Sequence, residues 1–337
     1  YTGEDTLSLH DALPISISPR LDPASSFKET PSTATWLRYF TIKSLISNKD
    51  TNLFSINGSK KGGYITLMSQ TIANCVNTLG VDIGGTLIKS VALSGDHKVV
   101  LDYKCPSNAS QGPEAVRKAI SETVKFFHSQ SVSFKKIGVG CAGSVDTERG
   151  VVRNSPNFAQ WTNVPLGEWV QTDYGVPTTV ENDANCAAIA EWKLSFSHLK
   201  NIALLTLGTG MGGGLVLNGQ LFRGSTGSGA ELGHLTIHSN GILCPCGNTG
   251  CFERYCSASA LKKNFPHVSS KDLFENVQGN PEYKKAVDEF VHHLKVGITS
   301  LANVFDPDVL LLGGAISKGI TPHLEHIRSW VKEHAFP

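Results

Sequence analysis

His234, Cys244, Cys246 and Cys251 fall within an eighteen-residue stretch, and a glutamate stands just outside each end, Glu231 and Glu253. Three soft thiolates and an imidazole make a closed tetrahedral set for Zn²⁺, with no position left for water, so the ion they suit is structural rather than catalytic. The two carboxylates are too hard for that shell. A metal that staples the loop would instead hold both glutamates in fixed positions. Buried cysteines are often small hydrophobes with no ligand role. A C-x-C-x₄-C run broken by Gly247 and Gly250 is poorly explained that way.

Two glycine-bearing runs could handle phosphate. In Asp82-Ile83-Gly84-Gly85-Thr86, glycine lets backbone N–H groups approach phosphate oxygens with no Cβ in the way. Thr86 can donate a hydroxyl, Lys89 can add charge, and Asp82 is an acceptor suited to Mg²⁺ through water. Taken alone, D-x-G-G-T reads equally as a tight turn. The run Gly208-Thr209-Gly210-Met211-Gly212-Gly213-Gly214 follows an apolar segment and suits a loop that wraps anions. It is not a Walker A loop, since no Gly-Lys-Ser/Thr follows, nor a dinucleotide fingerprint opening a helix. Gly313 and Gly314, between an apolar run and a helix start, suit close approach to a nucleoside. Asp183, after the expected strand Thr178 to Glu181 and before an Ala-rich segment, could accept a proton from a hydroxyl. The residues alone favour a plainer role for it, as the N-cap of that helix.

These runs together resemble the motifs of the ROK family (repressors, open reading frames, sugar kinases). The resemblance rests on E-x-G-H with C-x-C-G-x-x-G-C-x-E, on Leu79 to Thr86, on Glu181-Asn182-Asp183-Ala184-Asn185, on Leu207 to Gly214 and on Leu312 to Ser317, in family order, across about residues 76 to 337. It implies an α/β, two-lobed actin/hexokinase-like (ribonuclease H-like) ATPase fold with a cleft and a small zinc-stapled loop. It also implies ATP-dependent phosphoryl transfer to a hexose, with structural Zn²⁺, and Mg²⁺ carried with ATP. On this resemblance Asp183 is the general base and Asn182 bonds neighbouring sugar hydroxyls. His234 ligates zinc with one ring nitrogen and touches sugar with the other, beside Glu231 and Glu253. Asn157, in Asn154-Ser155-Pro156-Asn157, and Gly143, in Cys141-Ala142-Gly143-Ser144, match segments lining the sugar pocket.

The implied acceptor is glucose. Arg223 to Ala230 looks more like the glucokinase version of its segment than like that of a kinase for N-acetylmannosamine or N-acetylglucosamine, the alternative. From another class, a ROK-type sugar-responsive repressor shares the zinc loop but needs a DNA-binding domain, and no pair of amphipathic helices joined by a Gly turn is evident. A non-catalytic fragment is a further alternative. The formal charge of +1 gives no electrostatic footprint for nucleic acid or membrane, and no apolar run has the length of a membrane span. Eight cysteines, three in the zinc pattern and the rest scattered, read as reduced thiols of a cytoplasmic protein. A homodimer is expected.

The elements that must position these groups are legible as patterns. Strands are expected at Asn77 to Ile83, Leu87 to Leu93, Lys98 to Tyr103, Lys136 to Cys141, Thr178 to Glu181, Asn201 to Leu207 and Asp308 to Leu312. Asn218-Gly219 signals a type I′ hairpin. In Pro113 to Ser129 the residues Val116, Ile120, Val124 and Phe127 recur at helical steps. Helices are also expected over Asp183 to Leu194, from the Asn280-Pro281 cap to Phe305, and over Pro322 to Glu333. Strands alternating with helices argue for sheets with covered faces.

The organisation expected is a segment 1–16 set aside because Thr6 to Ile15 reads like translated sequencing adapter, an unassigned segment 17–75, an N-terminal lobe 76–194 and a C-terminal lobe 195–337. Residues 17 to 67 read as upstream translation or disorder, with a natural start at Met68. The family resemblance implies a further strand and closing helix after Pro337.

Overall fold

The structure, a computed structural model, describes residues 13–16 and 76–336, except 96, 156, 157 and 159. Met68, most of residues 1–75 and Asn157 lie outside the described residues. The chain divides into two units. The first described element, β1 (Leu13–Ser16), is an edge strand of the carboxyl-terminal unit. The sequence reading had set this segment aside. Strand addition at an open edge is made by backbone groups rather than by side-chain pattern, so composition gives little warning of it.

The amino-terminal unit comprises Lys28–Ala190, described from Val76, with Gly224–Ser228 returning to it. Its main sheet has the order β4-β3-β2-β5-β9, formed by β2 (Val76–Ile83), β3 (Leu87–Ser94), β4 (Val99–Pro106), β5 (Ile137–Cys141) and β9 (Thr178–Asn182). β2, β3 and β4 form an antiparallel meander, while β5 and β9 run parallel to β2. Every residue of β5 is buried, as expected of a parallel strand covered on both faces. Helix α1 (Pro113–Ser129) buries Val116, Ala119, Ile120, Thr123, Val124 and Phe127 along one stripe. A second sheet of β6 (Ser144–Asp146), β7 (Val151–Asn154) and β8 (Thr162–Val164), followed by α2 (Leu166–Tyr174), was not anticipated. Its strands are only three or four residues long, too short for a period to register.

Helix α3 (Asp183–Ser195) leads into the carboxyl-terminal unit, which takes in Glu191–Arg223 and the chain from Gly229. Its sheet has the order β1-β13-β10-β11-β12, with β10 (Ile202–Leu207), β11 (Met211–Leu217), β12 (Gln220–Leu221) and β13 (Val309–Gly313). β10, β11 and β12 are antiparallel, β13 is parallel to β10, and β1 is antiparallel to β13. Asn218 and Gly219 join β11 to β12 with φ of 53° and 74°, the positive values a type I′ turn needs.

Residues 231–253, the cysteine knuckle, and helices α4 (Ala258–Asn264) and α5 (Ser270–Glu275) precede α6 (Pro281–Phe305). Asn280 caps α6 by accepting from the amides of Glu282 and Tyr283. Val287, Phe290, Val291, Leu294, Ile298 and Leu301 of α6 form the centre of this unit's core. Short α7 (Ser317–Ile320) and α8 (Leu324–His334) follow β13.

Candidate functional site

In the amino-terminal unit the candidate residues gather where parallel strands end. Ile83 pairs with Cys141, and Cys141 pairs with Asn182, so β2, β5 and β9 finish in one row. Just beyond that row come Gly84-Gly85-Thr86, Ala142-Gly143 and Asp183. The carboxyl edge of parallel strands is where open α/β sheets collect ligands. The thiol of Cys141, in the middle of the row, is pushed well above its ordinary value, first by burial and then by the negative charges of Asp183 and Asp82. Both carboxylates therefore act on the same spot.

Gly84 N–H donates to the Leu87 carbonyl at 3.0 Å and closes the turn, leaving Gly85 and Thr86 exposed. Asp82 and Lys89 face each other across β2 and β3. Gly143 has φ of 113°, and a Cβ there would lie 2.3 Å from the Asn154 carbonyl, so only glycine lets β7 pass this close.

The cap of α3 is Asn182, not Asp183. Its Oδ1 accepts from the amides of Ala184 at 2.9 Å and Asn185 at 3.0 Å, and its Nδ2 donates to the Gly143 carbonyl at 3.0 Å. One amide hydrogen of Asn182 is left for other use. Asp183 occupies the first helical turn, where backbone amides favour an anion, and its Oδ1 shares the Ala184 amide at 2.9 Å.

Beneath it lies a residue the sequence reading quoted but gave no role. Glu181 is 1% exposed. Its Oε1 accepts from the Asn182 amide at 3.0 Å and from Asn185 Nδ2 at 3.1 Å, and its Oε2 from Thr147 Oγ1 at 3.4 Å. The spacing of Glu181 and Asn185, four residues apart across a strand end and helix start, was a signal available in the sequence.

The carboxyl-terminal unit repeats the arrangement. Thr206 of β10 pairs with Gly313 of β13, so the loop 208–210 and the Gly313-Gly314 turn leave the sheet side by side. Ile316 N–H donates to the Leu207 carbonyl, and Ser317 Oγ donates to the Gly314 carbonyl at 2.7 Å. Gly208, Thr209 and Gly210 cross between β10 and β11, while Gly212 lies in β11.

Two short 3₁₀ turns, Leu232–His234 and Phe252–Arg254, flank the cysteine loop and are joined by the Phe252 amide donating to the Leu235 carbonyl at 2.8 Å. Glu231 and His234 are three apart on the first turn, and Glu253 lies on the second. The ligand atoms of His234, Cys244, Cys246 and Cys251 all lie within 4.8 Å of one another. Cys244 Sγ is 3.7 Å from His234 Nδ1, and Cys246 Sγ is 3.6 Å from Cys251 Sγ. This S₃N set, with Cys244 and Cys251 buried, has the donor type and span of a tetrahedral zinc site. Burial raises the thiols of Cys244 and Cys251 above the ordinary range, while the Asn248 backbone amide lowers that of exposed Cys246. His234 turns Nδ1 toward the thiols, which leaves Nε2 on the other side of the ring. Glu253 Oε1 sits 3.1 Å from Cys244 Sγ and 3.8 Å from His234 Nδ1.

Among the described residues no helix is long and apolar enough to cross a membrane. The chain matches the ROK family over residues 78–337. It is 33% identical to the glucokinase of Thermotoga maritima over 280 residues, which cover 77% of this chain and 88% of that protein. A ROK family glucokinase from Streptomyces griseus, solved in complex with glucose and AMPPNP, aligns with a TM-score of 0.65 at 31% identity, over 75% of this chain and 89% of that one. The xylose repressor of Bacillus subtilis is 28% identical over 317 residues, covering 90% of this chain and 81% of its own length. The α/β fold is that of the ROK hexokinases, the actin-like ATPase fold.

Proposed function

The chain belongs to the ROK family, and on that premise we propose that it is an ATP-dependent sugar kinase that converts glucose to glucose 6-phosphate. The observation that carries this reading is the row Ile83–Cys141–Asn182, which sets Asp183 at the same sheet edge as the Gly84–Thr86 turn. Asn182 does the capping, and Asp183 stands next to it in the first turn of α3.

Asp183 accepts the proton of the sugar hydroxyl as its oxygen attacks the γ-phosphorus of ATP. The new O–P bond forms, the bond to the β-phosphate bridging oxygen breaks, and ADP leaves with that electron pair. The amides of Gly85 and Thr86, with Lys89, and those of Thr209 and Gly210 cradle phosphate oxygens, while the amides of Gly84 and Gly208 close their turns on the Leu87 and Gly210 carbonyls and Gly212 continues β11. Gly313 and Gly314 admit the nucleoside. Mg²⁺, carried with ATP, supplies neutralisation of phosphate charge, and Asp82 is the acceptor suited to it.

Sugar hydroxyls each offer a donor and an acceptor, and Asn182 Nδ2, Glu231, His234 Nε2 and Glu253 supply complementary groups. Gly143 leaves room beside Asn182. His234, Cys244, Cys246 and Cys251 would hold a structural Zn²⁺ that fixes the two flanking turns. Support for glucose comes from the glucokinase relatives of Thermotoga maritima and Streptomyces griseus.

A coupled ADP-release assay over a panel of hexoses and N-acetylhexosamines tests the proposal. Glucose should give the highest kcat/KM, and a clear preference for N-acetylmannosamine would replace glucose with that sugar. A second reading, a sugar-responsive repressor, is favoured by one observation: the Bacillus subtilis repressor aligns over more of this chain than the glucokinase does, 90% against 77%. Sugar binding without any ADP release would favour that reading.

A further inference from the structure

The cysteine knuckle and the second phosphate loop touch each other at several points, and glycines on both sides allow the approach. A Cβ at Gly213 would lie 2.5 Å from Leu232 Cβ, and a Cβ at Gly233 would lie 2.0 Å from the Met211 carbonyl oxygen. The first strand residues after the loop and the turn that ends in His234 are therefore closely packed, with the Leu232 side chain seated on Gly213 and Gly233 against the Met211 backbone. On the other flank, the amides of Ala258 and Ser259 donate to the carbonyls of Gly208 and Thr209 at 2.8 and 3.1 Å.

Glu253 completes the grip. One carboxylate oxygen, Oε1, lies against Cys244 Sγ and His234 Nδ1. The other, Oε2, would lie 3.0 Å from a Cβ at Gly210. One side chain thus spans the metal-ligand cluster and the middle of the phosphate loop. Both phosphate turns have strand hydrogen bonds and a closing backbone bond, Gly84 N–H to the Leu87 carbonyl and Gly208 N–H to the Gly210 carbonyl, each at 3.0 Å; the contacts with the knuckle are what residues 208–214 have in addition.

We propose that the knuckle and residues 208–214 are one mechanical piece with Glu253 as the positioning residue between them, so that metal occupancy sets nucleotide affinity as well as sugar affinity. The inference rests on reading the cluster as a zinc site and 208–214 as a phosphate loop. A cradle of backbone amides binds an anion well only if the amides already point at it, and its benefit falls when they must first be ordered. The knuckle supplies that order. The effect of the metal therefore reaches the nucleotide through Gly213, Gly233 and Glu253, without the metal touching phosphate.

The test is equilibrium binding of Mg·AMPPNP and of glucose to the full chain by calorimetry, with amide hydrogen exchange, before and after zinc is removed by a chelator. Stripping should weaken AMPPNP binding by about tenfold or more, the scale on which supporting contacts around metal sites act. Exchange should rise at residues 208–214 and stay unchanged at 84–87. A stripped chain that keeps its far-ultraviolet circular dichroism, its AMPPNP affinity and its exchange pattern overturns the proposal.

If stripping unfolds the unit, Glu253→Ala decides, because Glu253 is not one of the four ligands. That variant should retain one zinc per chain yet bind both AMPPNP and glucose more weakly; loss of glucose binding alone overturns the proposal. Untreated protein that holds no zinc, or binds no AMPPNP, refutes the underlying site reading instead, and this inference with it.

Discussion

The two units are built on one plan and differ where it matters. Each has an antiparallel three-strand meander, β2-β3-β4 in one and β10-β11-β12 in the other, with a further strand added parallel to its first member. In each, the turn between the first two strands is the glycine-bearing one. The outermost strand breaks the likeness. In the amino-terminal unit it is β9, parallel and followed by α3, which delivers Asp183 to the sheet edge. In the carboxyl-terminal unit it is β1, antiparallel, and the distinguishing feature is the knuckle inserted between β12 and α6. On the proposed reading, one unit supplies the acid–base group, while the other braces its phosphate loop with the cluster His234, Cys244, Cys246 and Cys251.

The largest test of that division is Asp183→Asn. It should leave glucose and nucleotide binding near normal while kcat falls by about 10²–10⁴-fold, the usual contribution of a general base. A variant that keeps near-normal turnover assigns the base elsewhere and removes the functional difference between the units. Glu181→Ala is the next largest. It removes the acceptor for the Asn182 amide and Asn185 Nδ2 beneath the base. Turnover should fall about 10–100-fold, the range for supporting groups, with the KM for ATP little changed. Glu181→Gln keeps an acceptor oxygen and should recover most of the loss. Failure of that rescue, or an equal rise in both KM values, points to general loosening of the unit.

How much of this was legible depended on whether a signal was carried by side-chain type or by backbone. The ligand set His234, Cys244, Cys246 and Cys251 was legible because few residue types bind zinc and their spacing is local, and the structure brings all four together. The helices were legible because Val116, Ile120, Val124 and Phe127 mark a stripe, and Asn280-Pro281 marks a cap. The cap of α3 was not, because Asn182 and Asp183 are both good caps and only the backbone bend between them decides. The grip on residues 208–214 was also hidden. Gly213 and Gly233 read as loop glycines, yet what they admit is Leu232 and the Met211 carbonyl, contacts that need coordinates to be seen. That grip has a consequence: removing zinc should raise the nucleotide KM along with the sugar KM.

Glycine substitutions sharpen the comparison of the two phosphate turns. Ideal Cβ atoms at Gly85 and Gly208 meet nothing within 4 Å, so Gly85→Val and Gly208→Val should leave the fold intact. Each should weaken AMPPNP binding by about tenfold, equivalent to losing one hydrogen bond to a charged group at roughly 1.5–3 kcal/mol. Glucose binding should hold in both. Gly210→Val should behave differently, because its Cβ meets Glu253 Oε2. It should weaken both ligands, and nucleotide-only loss at Gly210 would mean that Glu253 is free to move aside.

The smallest effect is one of order among thiols. Cys246 is exposed and its thiol is held below the ordinary value, mainly by the Asn248 amide. Cys141 and Cys256 are fully buried and their thiols are held well above that value, with burial the leading cause. Thiolate is the reactive form, so at neutral pH a lowered thiol is alkylated first and raised, buried ones last. In chelator-treated protein, iodoacetamide followed by peptide mass mapping should label Cys246 ahead of Cys244 and Cys251, with Cys141 and Cys256 unlabelled while the fold persists. In untreated protein, coordination of the four ligands should slow Cys246 as well. Labelling of Cys246 at equal rates with and without chelator would show that no metal is held there. The bracing that sets residues 208–214 apart from the Gly84–Thr86 turn would then rest on glycine packing alone.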